Sequence, residues 1–341
     1  MKKIAIRWLI IFAVLTLLIL ILSRPYYAFV TKTLSISPLR ALLFNDSLKT
    51  YNNQINILLL GKSGEGHEGP NLTDTIMVAN YNLKNNRLTT VSIPRDIWSA
   101  TLRDKVNSAY AYGEAKRPGS GGFILAKSEV SSIIGMPIHY AVAIDFDRFK
   151  EVVDYLGGVE VDIQRSFTDK KFPIEGKEND DCDDDQEYKC RYQTVTFTRG
   201  RMNMDGETAL KFVRSRNAEG SEGTDFAREA RQQKVLEAVI DKTLNYVKKP
   251  NIENYNNIYY LLNNIVKRDI DNQKLAVIFK NILLRRNFTS NKTTLTEDLF
   301  TTPPISDKYD YRWVLIPRSG DFNMIHSFIK CELEEEGECL K

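Results

Sequence analysis

An α/β domain behind a single membrane-spanning helix is the fold class that the sequence predicts. Three observations carry that expectation. A long apolar run lies near the N-terminus, short β-branched and aromatic runs follow it, and helix-periodic stretches separate several of those runs.

Lys2, Lys3 and Arg7 precede the run Trp8 to Ser23, which contains no acidic residue. Counted from Ile4 to Leu22, the segment is 19 residues with Arg7 as its only charge. At about 1.5 Å per residue it nearly crosses a hydrocarbon core of about 30 Å, with the basic groups snorkelling to the inner face. A cleavable signal peptide would end in a small-x-small site, whereas this run passes into Ser23, Arg24, Pro25 and Tyr26. An uncleaved anchor over 4–23 is therefore expected, after a cytoplasmic tail of 1–3. Positive charge before the span places everything after it outside the cytoplasm, in a single-pass arrangement at the cell membrane. Residues 24–53 are too short for a domain and read as a juxtamembrane stalk or a packing helix.

The ordered domain is expected to begin near Gln54. Ile55 to Leu60 is an apolar run ended by glycine, the pattern of a strand buried on both faces. Gly61 to Pro70 then reads as a loop. Further strands are expected at Thr75–Tyr81, Arg87–Ile93, His139–Ile144, Val159–Ile163 and Thr194–Phe197. Helical spacing covers Phe123–Ile134 and Phe146–Leu156, the second stopped by Gly157 and Gly158. Met204–Arg214 reads as a short helix capped by Asp205, and Phe226 to about Lys248 as a longer one. Acidic Lys170–Tyr192 looks like a surface insertion. Beyond Pro250 the pattern predicts helices at Ile252–Val266 and Asn272–Leu284, a polar segment to Lys308, a strand at Tyr311–Pro317 and a helix near Asn323–Lys330. Residues 54–249 thus read as the main domain, and 250–341 as a C-terminal extension packing on it.

With 47 basic against 44 acidic residues, there is no overall basic excess of the kind that argues for nucleic-acid binding. Only a few residues precede the anchor, which leaves no room there for a DNA-binding helix-turn-helix. Cys182 and Cys190 share their spacing with Cys331 and Cys339. Two local disulfides in an oxidising compartment are the preferred reading. The competing one is a hard-cation site built from the carboxylates between Asp180 and Asp185.

The densest chemical signal lies between Arg214 and Gln233. Arg214 and Arg216 are two apart, while Arg228, Arg231 and Gln232 share a helix face, with Asp225 placed to cap free amides at its start. Arginines converging on a helix N-terminus suit a phosphate, because forked donors match its oxygens and the helix dipole adds attraction. A solvated basic face is the bland alternative. A second cluster joins Asp74 at a strand start to Arg95 and Asp96 at the end of the next strand. Asp74 reads as a ligand for a hard ion, as a base, or merely as the first residue of its strand.

The order TDTIM, SIPRD, KVNSAYAYG (Lys105–Gly113), DYLGGVEVDI (Asp154–Ile163), MDGETALKFVRSR and DFAREARQQK resembles the LytR–CpsA–Psr family. That resemblance covers about Ile55 to Leu244, and it implies a three-layer fold, a mixed central β-sheet flanked by helices. It further implies a membrane-anchored enzyme, a phosphotransferase that moves a glycopolymer from a polyprenyl-pyrophosphate carrier to peptidoglycan. On matching positions, Arg95, Arg214, Arg216, Arg228 and Gln232 would cradle the pyrophosphate, and Arg231 joins them by its place on the helix. Asp74 would hold magnesium, and Asp225 would occupy the acidic position before the helix. A long apolar pocket is also implied, for whose wall Ile124, Ile133, Phe149 and Val153 are candidates, though core packing explains the same residues.

Two departures fall in the loop before Asp74. Ser63 stands where the family usually has aspartate, and Leu72 where it has arginine. Glu65 or His67 would then be substitute ligands, with a loop surface as the bland reading of His67. The alternatives to transfer are a non-catalytic binder of lipid-linked or wall glycopolymers, and a pyrophosphatase that releases the polymer.

Overall fold

The computed structural model describes residues 2–44, 48–62, 71–174, 176–177, 179–247, 251–285, 287–334 and 339. At residues 2–6, 146–148, 184, 225, 226, 229, 244, 247 and 297 the description is of backbone alone. The chain runs through α1 (Lys2–Ala28), a π-helical turn (Phe29–Thr33), α2 (Pro38–Leu43), β1 (Gln54–Lys62), β2 (Thr73–Asn82) and β3 (Arg87–Ser92). Next come β4 (Trp98–Ser99), β5 (Asp104–Lys105), α3 (Ala109–Lys116), α4 (Gly121–Ile134), β6 (Tyr140–Asp145), α5 (Phe146–Tyr155) and β7 (Val159–Ile163). β8 (Phe167–Pro173), β9 (Tyr192–Phe197), β10 (Gly200–Met204), α6 (Gly206–Arg214), α7 (Asp225–Val247) and α8 (Ile252–Ile265) follow. β11 (Val266–Arg268), α9 (Asn272–Leu284), β12 (Thr289–Thr294), β13 (Phe300–Thr301), β14 (Ile316–Pro317) and α10 (Asn323–Glu334) complete it.

β1 sits inside a six-stranded sheet of order β11-β6-β1-β2-β3-β12. It pairs antiparallel with β2 and parallel with β6, so the sheet is mixed. Leu58 and Leu60 point to one face with Ile76, Val78, Val91, Ala141 and Ala143, where α3, α4 and α10 close over them. The alternate residues Ile55, Tyr81 and Tyr140 meet Ile270 and Ile278 on the other face. A separate apolar cluster joins α5, α6, α7 and α8 to β7, β8 and β9. Helices thus flank both faces of the sheet, and this packing explains why β1 reads as a continuous apolar run.

Close backbone approach explains two glycines of the motifs. A Cβ on Gly206 would lie 2.4 Å from the Lys150 carbonyl oxygen, and one on Gly113 would lie 2.2 Å from that of Gly121. The first lets α6 start against α5, with the Gly206 amide donating to Asp154 at 2.7 Å. The second lets α3 pack on α4.

The structure departs from the sequence expectations mainly at sheet edges. Residues 250–341 are woven into the domain rather than laid on it, because β11 and β12 are the two edge strands of the central sheet. Val266 closes no helix but begins β11, pairing with Ile144. β12 (TSNKTT) carries no apolar alternation because its side chains are mostly exposed, so its pairing with β3 rests on backbone hydrogen bonds. Tyr311–Pro317 shortens to β14, since Asp310 and Tyr311 take left-handed turn conformations with φ of 46° and 55°. The acidic insertion is the tip of the β8–β9 hairpin.

Cys182 bonds Cys190, and Cys331 bonds Cys339. Their sulfurs are therefore not available as thiolate ligands, and Asp180 instead accepts from the Cys182 amide at 2.9 Å. One N-terminal helix is long and apolar enough to cross a membrane, with a mean hydropathy of 2.3 over its most apolar window.

Candidate functional site

The site forms where β2 begins, β3 ends, and the α6–α7 connection crosses them. Antiparallel pairing puts Met77 beside Ser92, so the chain leaving β3 through Pro94 returns Arg95 to the level of Asp74. There Arg95 Nη1 donates to Asp74 Oδ1. Arg216 Nη2 reaches the same oxygen at 3.4 Å. Asp74 and Arg95 are mostly buried, whereas the Arg216 side chain is about half exposed.

α7 is stitched across these strand ends by side chains. Thr75 Oγ1 donates to Gln232 Oε1, and Gln233 Nε2 donates to Ser92 Oγ. Arg228 lies on the same helix and is only 1% exposed. Arg214 is the last residue of α6 and is half-buried. The structure thus brings Asp74, Arg95, Arg216 and Gln232 into one neighbourhood, with Arg228 one turn from Gln232 on α7.

One residue of the expected site falls elsewhere. Arg231 is committed to the protein itself. Its Nε donates to the Phe212 carbonyl at 3.0 Å, Nη2 to the Ser215 carbonyl at 2.6 Å, and Nη1 to both the Glu222 carbonyl at 2.9 Å and its carboxylate at 3.1 Å. The guanidinium also stacks on Phe167 at 4.7 Å. Burial pushes Arg231 below its ordinary range, with Glu222 opposing that shift. A face shared by spacing is not a shared destination, because a guanidinium can turn back to tie loop carbonyls. At the start of α7, Thr224 Oγ1 accepts from the Ala227 amide at 3.2 Å. The Asp225 side chain lies outside the described residues, as do Ser63, Glu65 and His67.

Structure gives Asp96, named from the sequence beside Arg95, its partners, and adds Lys105 and Asp169, which sequence reasoning passed over. Asp96 is 5% exposed and receives Arg95 Nε at 3.4 Å and Lys105 Nζ at 2.6 Å. A run of alternating charge, Asp74, Arg95, Asp96 and Lys105, therefore borders the site. Lys105 opens the motif KVNSAYAYG, so its presence there was a usable signal. Asp169 is fully buried and accepts from the amides of Lys171 at 2.9 Å and of Arg216 and Asn217 at 3.1 Å each. It fixes the turn that presents Arg216, and nothing local in the sequence marks it. Leu72, half-buried just before β2, supplies no charge where an arginine was expected.

The candidate apolar wall does not assemble. Ile133 belongs to the core under α4, Phe149 and Val153 to the core around α5, and Ile124 is exposed.

This electrostatic pattern suits a doubly phosphorylated anion: several forked donors, one carboxylate and a short distance between them. Among the described residues, no group of three or more potential metal ligands includes Asp74.

Known proteins agree with this architecture. The chain is 30% identical over 231 residues to a polyisoprenyl-teichoic acid–peptidoglycan teichoic acid transferase, TagU, of Bacillus mycoides, a match spanning 67% of this chain and 64% of that relative's length. The TagU of Enterococcus faecalis is 28% identical over 234 residues, covering 66% of this chain and 65% of the relative. Among solved structures, B. subtilis TagV superposes with a TM-score of 0.56 at 22% identity, covering 84% of this chain and all of that one. TagT bound to LIIa-WTA gives 0.53 at 21% identity, covering 85% and 95%. At such identities these two speak for the fold. The family model itself matches residues 31–314, taking in every motif of the site and both edge strands, and the chain accordingly belongs to the LytR_cpsA_psr family.

Proposed function

We propose that this chain is a membrane-anchored phosphotransferase that moves a glycopolymer from a polyprenyl-pyrophosphate carrier to peptidoglycan. The carrying observation is the Asp74 carboxylate held by Arg95 and Arg216 beside buried Arg228 and Gln232. Support also comes from the activity in the names of the TagU relatives, of whose length this chain matches somewhat under two thirds. The domain lies outside the cytoplasm, in keeping with the positive charges before the span and with two disulfides after it.

In this reaction an acceptor hydroxyl attacks the phosphorus attached to the sugar. A new P–O bond forms, the bond from that phosphorus to the bridging oxygen breaks, and polyprenyl phosphate leaves with that oxygen. Arg95, Arg214, Arg216 and Arg228 neutralise the pyrophosphate, and Asp74 or Asp225 takes the hydroxyl proton. Magnesium is part of the proposal. The residues suit it, since Asp74 offers a hard carboxylate oxygen and such ions commonly take one or two carboxylates with substrate oxygens. Bound there, it would supply further charge neutralisation.

The test incubates the full-length protein in vesicles with a polyprenyl-pyrophosphate sugar and peptidoglycan, with and without magnesium, beside Arg216→Ala. Release of polyprenyl phosphate with sugar appearing on peptidoglycan, lost in the variant, is the expected result. Release without attachment identifies a pyrophosphatase. Tight Arg216-dependent binding with no release leaves a glycolipid-binding protein and defeats the enzyme.

A further inference from the structure

The surface beside the point where the chain leaves α1 combines exposed apolar residues with a one-sided charge. α2 exposes Leu39, Leu42 and Leu43 and is followed by exposed Phe44; α9, packed beside it, exposes Phe279, Leu283 and Leu284. Leu283 and Leu284 are 78% and 69% exposed, values that a soluble face would not favour for adjacent leucines. No acidic residue occurs between Met1 and Asn45, nor between Asn272 and Thr296. Basic residues do occur there: beyond the apolar run of α1, Arg24, Lys32 and Arg40 in the first segment, and in the second Lys280, Arg285 and Arg286, with Lys274 paired to Asp271 and Lys292 to Glu237.

The connection to α1 is short and bonded. From Thr33 to Pro38 the chain can reach at most about 18 Å. Along that stretch Asn272 Nδ2 donates to the Leu34 carbonyl at 2.8 Å, and the Ser37 amide donates to Gln273 Oε1 at 2.7 Å. Upstream, Tyr26 and Phe29 pack on Tyr255 of α8, with ring centroids 6.1 Å apart in each pair. The base of the span is therefore docked on α8 and α9 instead of swinging on a loose tether.

We propose that α2 and the C-terminal half of α9 form a membrane-seating face, whose leucines and phenylalanines enter the headgroup–acyl boundary while the flanking lysines and arginines meet anionic headgroups. The composition is that of an interfacial helix, apolar on one side with an excess of positive charge beside it. A lipid surface is the occupant because α2 cannot move far from the end of the span. The inference rests on α1 spanning the bilayer and not on the transferase reaction. Its consequence is that the domain is fixed in height and tilt over the bilayer, which sets how a lipid-linked substrate approaches the arginine site.

The experiment places single cysteines at Leu42, Leu283, Ile305 and Leu15 of the full-length protein, labels each with bimane under non-reducing conditions that keep the native disulfides, and reconstitutes it in phosphatidylcholine–phosphatidylglycerol vesicles. The quencher is a phospholipid with a nitroxide high on its acyl chain. Ile305 is a control, 65% exposed and shortly after Leu299 and Phe300, which belong to the core under α4. Quenching at Leu42→Cys and Leu283→Cys at least about threefold that at Ile305→Cys is expected for side chains lying at that depth. Equal quenching at all three, with Leu15→Cys still quenched, overturns the seating face while leaving the span intact. Protection of Leu283→Cys from lipid together with crosslinking between two copies would show a protein interface there and overturns it as well. An unquenched Leu15→Cys would remove the span on which the inference stands.

Discussion

Arg231 and Arg216 come from the same cluster of the sequence and end in opposite situations. Arg231, on α7, is 3% exposed, and all three of its nitrogens are bonded, Nε to Phe212 of α6 and the other two to the α6–α7 connection. Arg216, on that connection, is half exposed and reaches across to Asp74. One arginine builds the turn; the other is presented by it. The lesson is that residue type and helical spacing identify a basic cluster, while the partners available within a side chain's reach decide which members remain for a ligand.

The comparison can be broken most forcefully at Arg231. Arg231→Met leaves the Glu222 carboxylate and the carbonyls of Phe212 and Ser215 without these donors, and should cost about 3–5 kcal/mol in denaturant unfolding, as for a severed buried pair. Arg231→Lys should recover little, because an ammonium cannot reproduce the planar fork. If Arg231→Met were as stable as the parent and only lost pyrophosphate affinity, the division of roles would be wrong.

Asp169 sharpens the contrast at an intermediate scale. Asp169→Asn keeps the shape but removes the charge that accepts the Arg216 and Asn217 amides. A loss of about 2 kcal/mol is expected for weakened hydrogen bonds to a charged group. Affinity for a polyprenyl-pyrophosphate sugar should fall with it, since Arg216 is then less firmly held. Unchanged affinity in calorimetry would mean that the turn is set by something other than Asp169.

The smallest stability effect belongs to Arg216→Ala. An exposed side chain of this kind should change unfolding free energy by no more than about 0.5 kcal/mol. Its effect on pyrophosphate binding should be roughly tenfold or more, the scale of one charge-assisted contact. A thermal melt and a binding isotherm on the same preparation separate the two quantities.

Much of the fold was legible because burial leaves a pattern. The β1 run, the alternation of β7, the Asp205 cap of α6 and the span of α1 all follow from local chemistry, and the structure places each of these elements where that chemistry predicts. β12 was illegible for the complementary reason: as an edge strand with exposed side chains it needs no apolar alternation, and its partner β3 lies far away in sequence. The same holds at the site. Arg95, Asp96, Asp74 and Gln232 were nameable from motifs, whereas Asp169 matters only because folding buries it among donors that the linear sequence keeps apart.

By itself, then, the sequence determined the family, an N-terminal helix long and apolar enough to cross a membrane, the paired cysteines and the basic cluster, since each rests on residue identity or spacing over a few turns. Only the tertiary structure decided that Arg231 is a structural tie, that residues 250–341 supply both edges of the sheet, and that α2 shares a face with α9. Those outcomes depend on hydrogen bonds and packing between segments distant along the chain, where direction and reach rather than composition choose the partner.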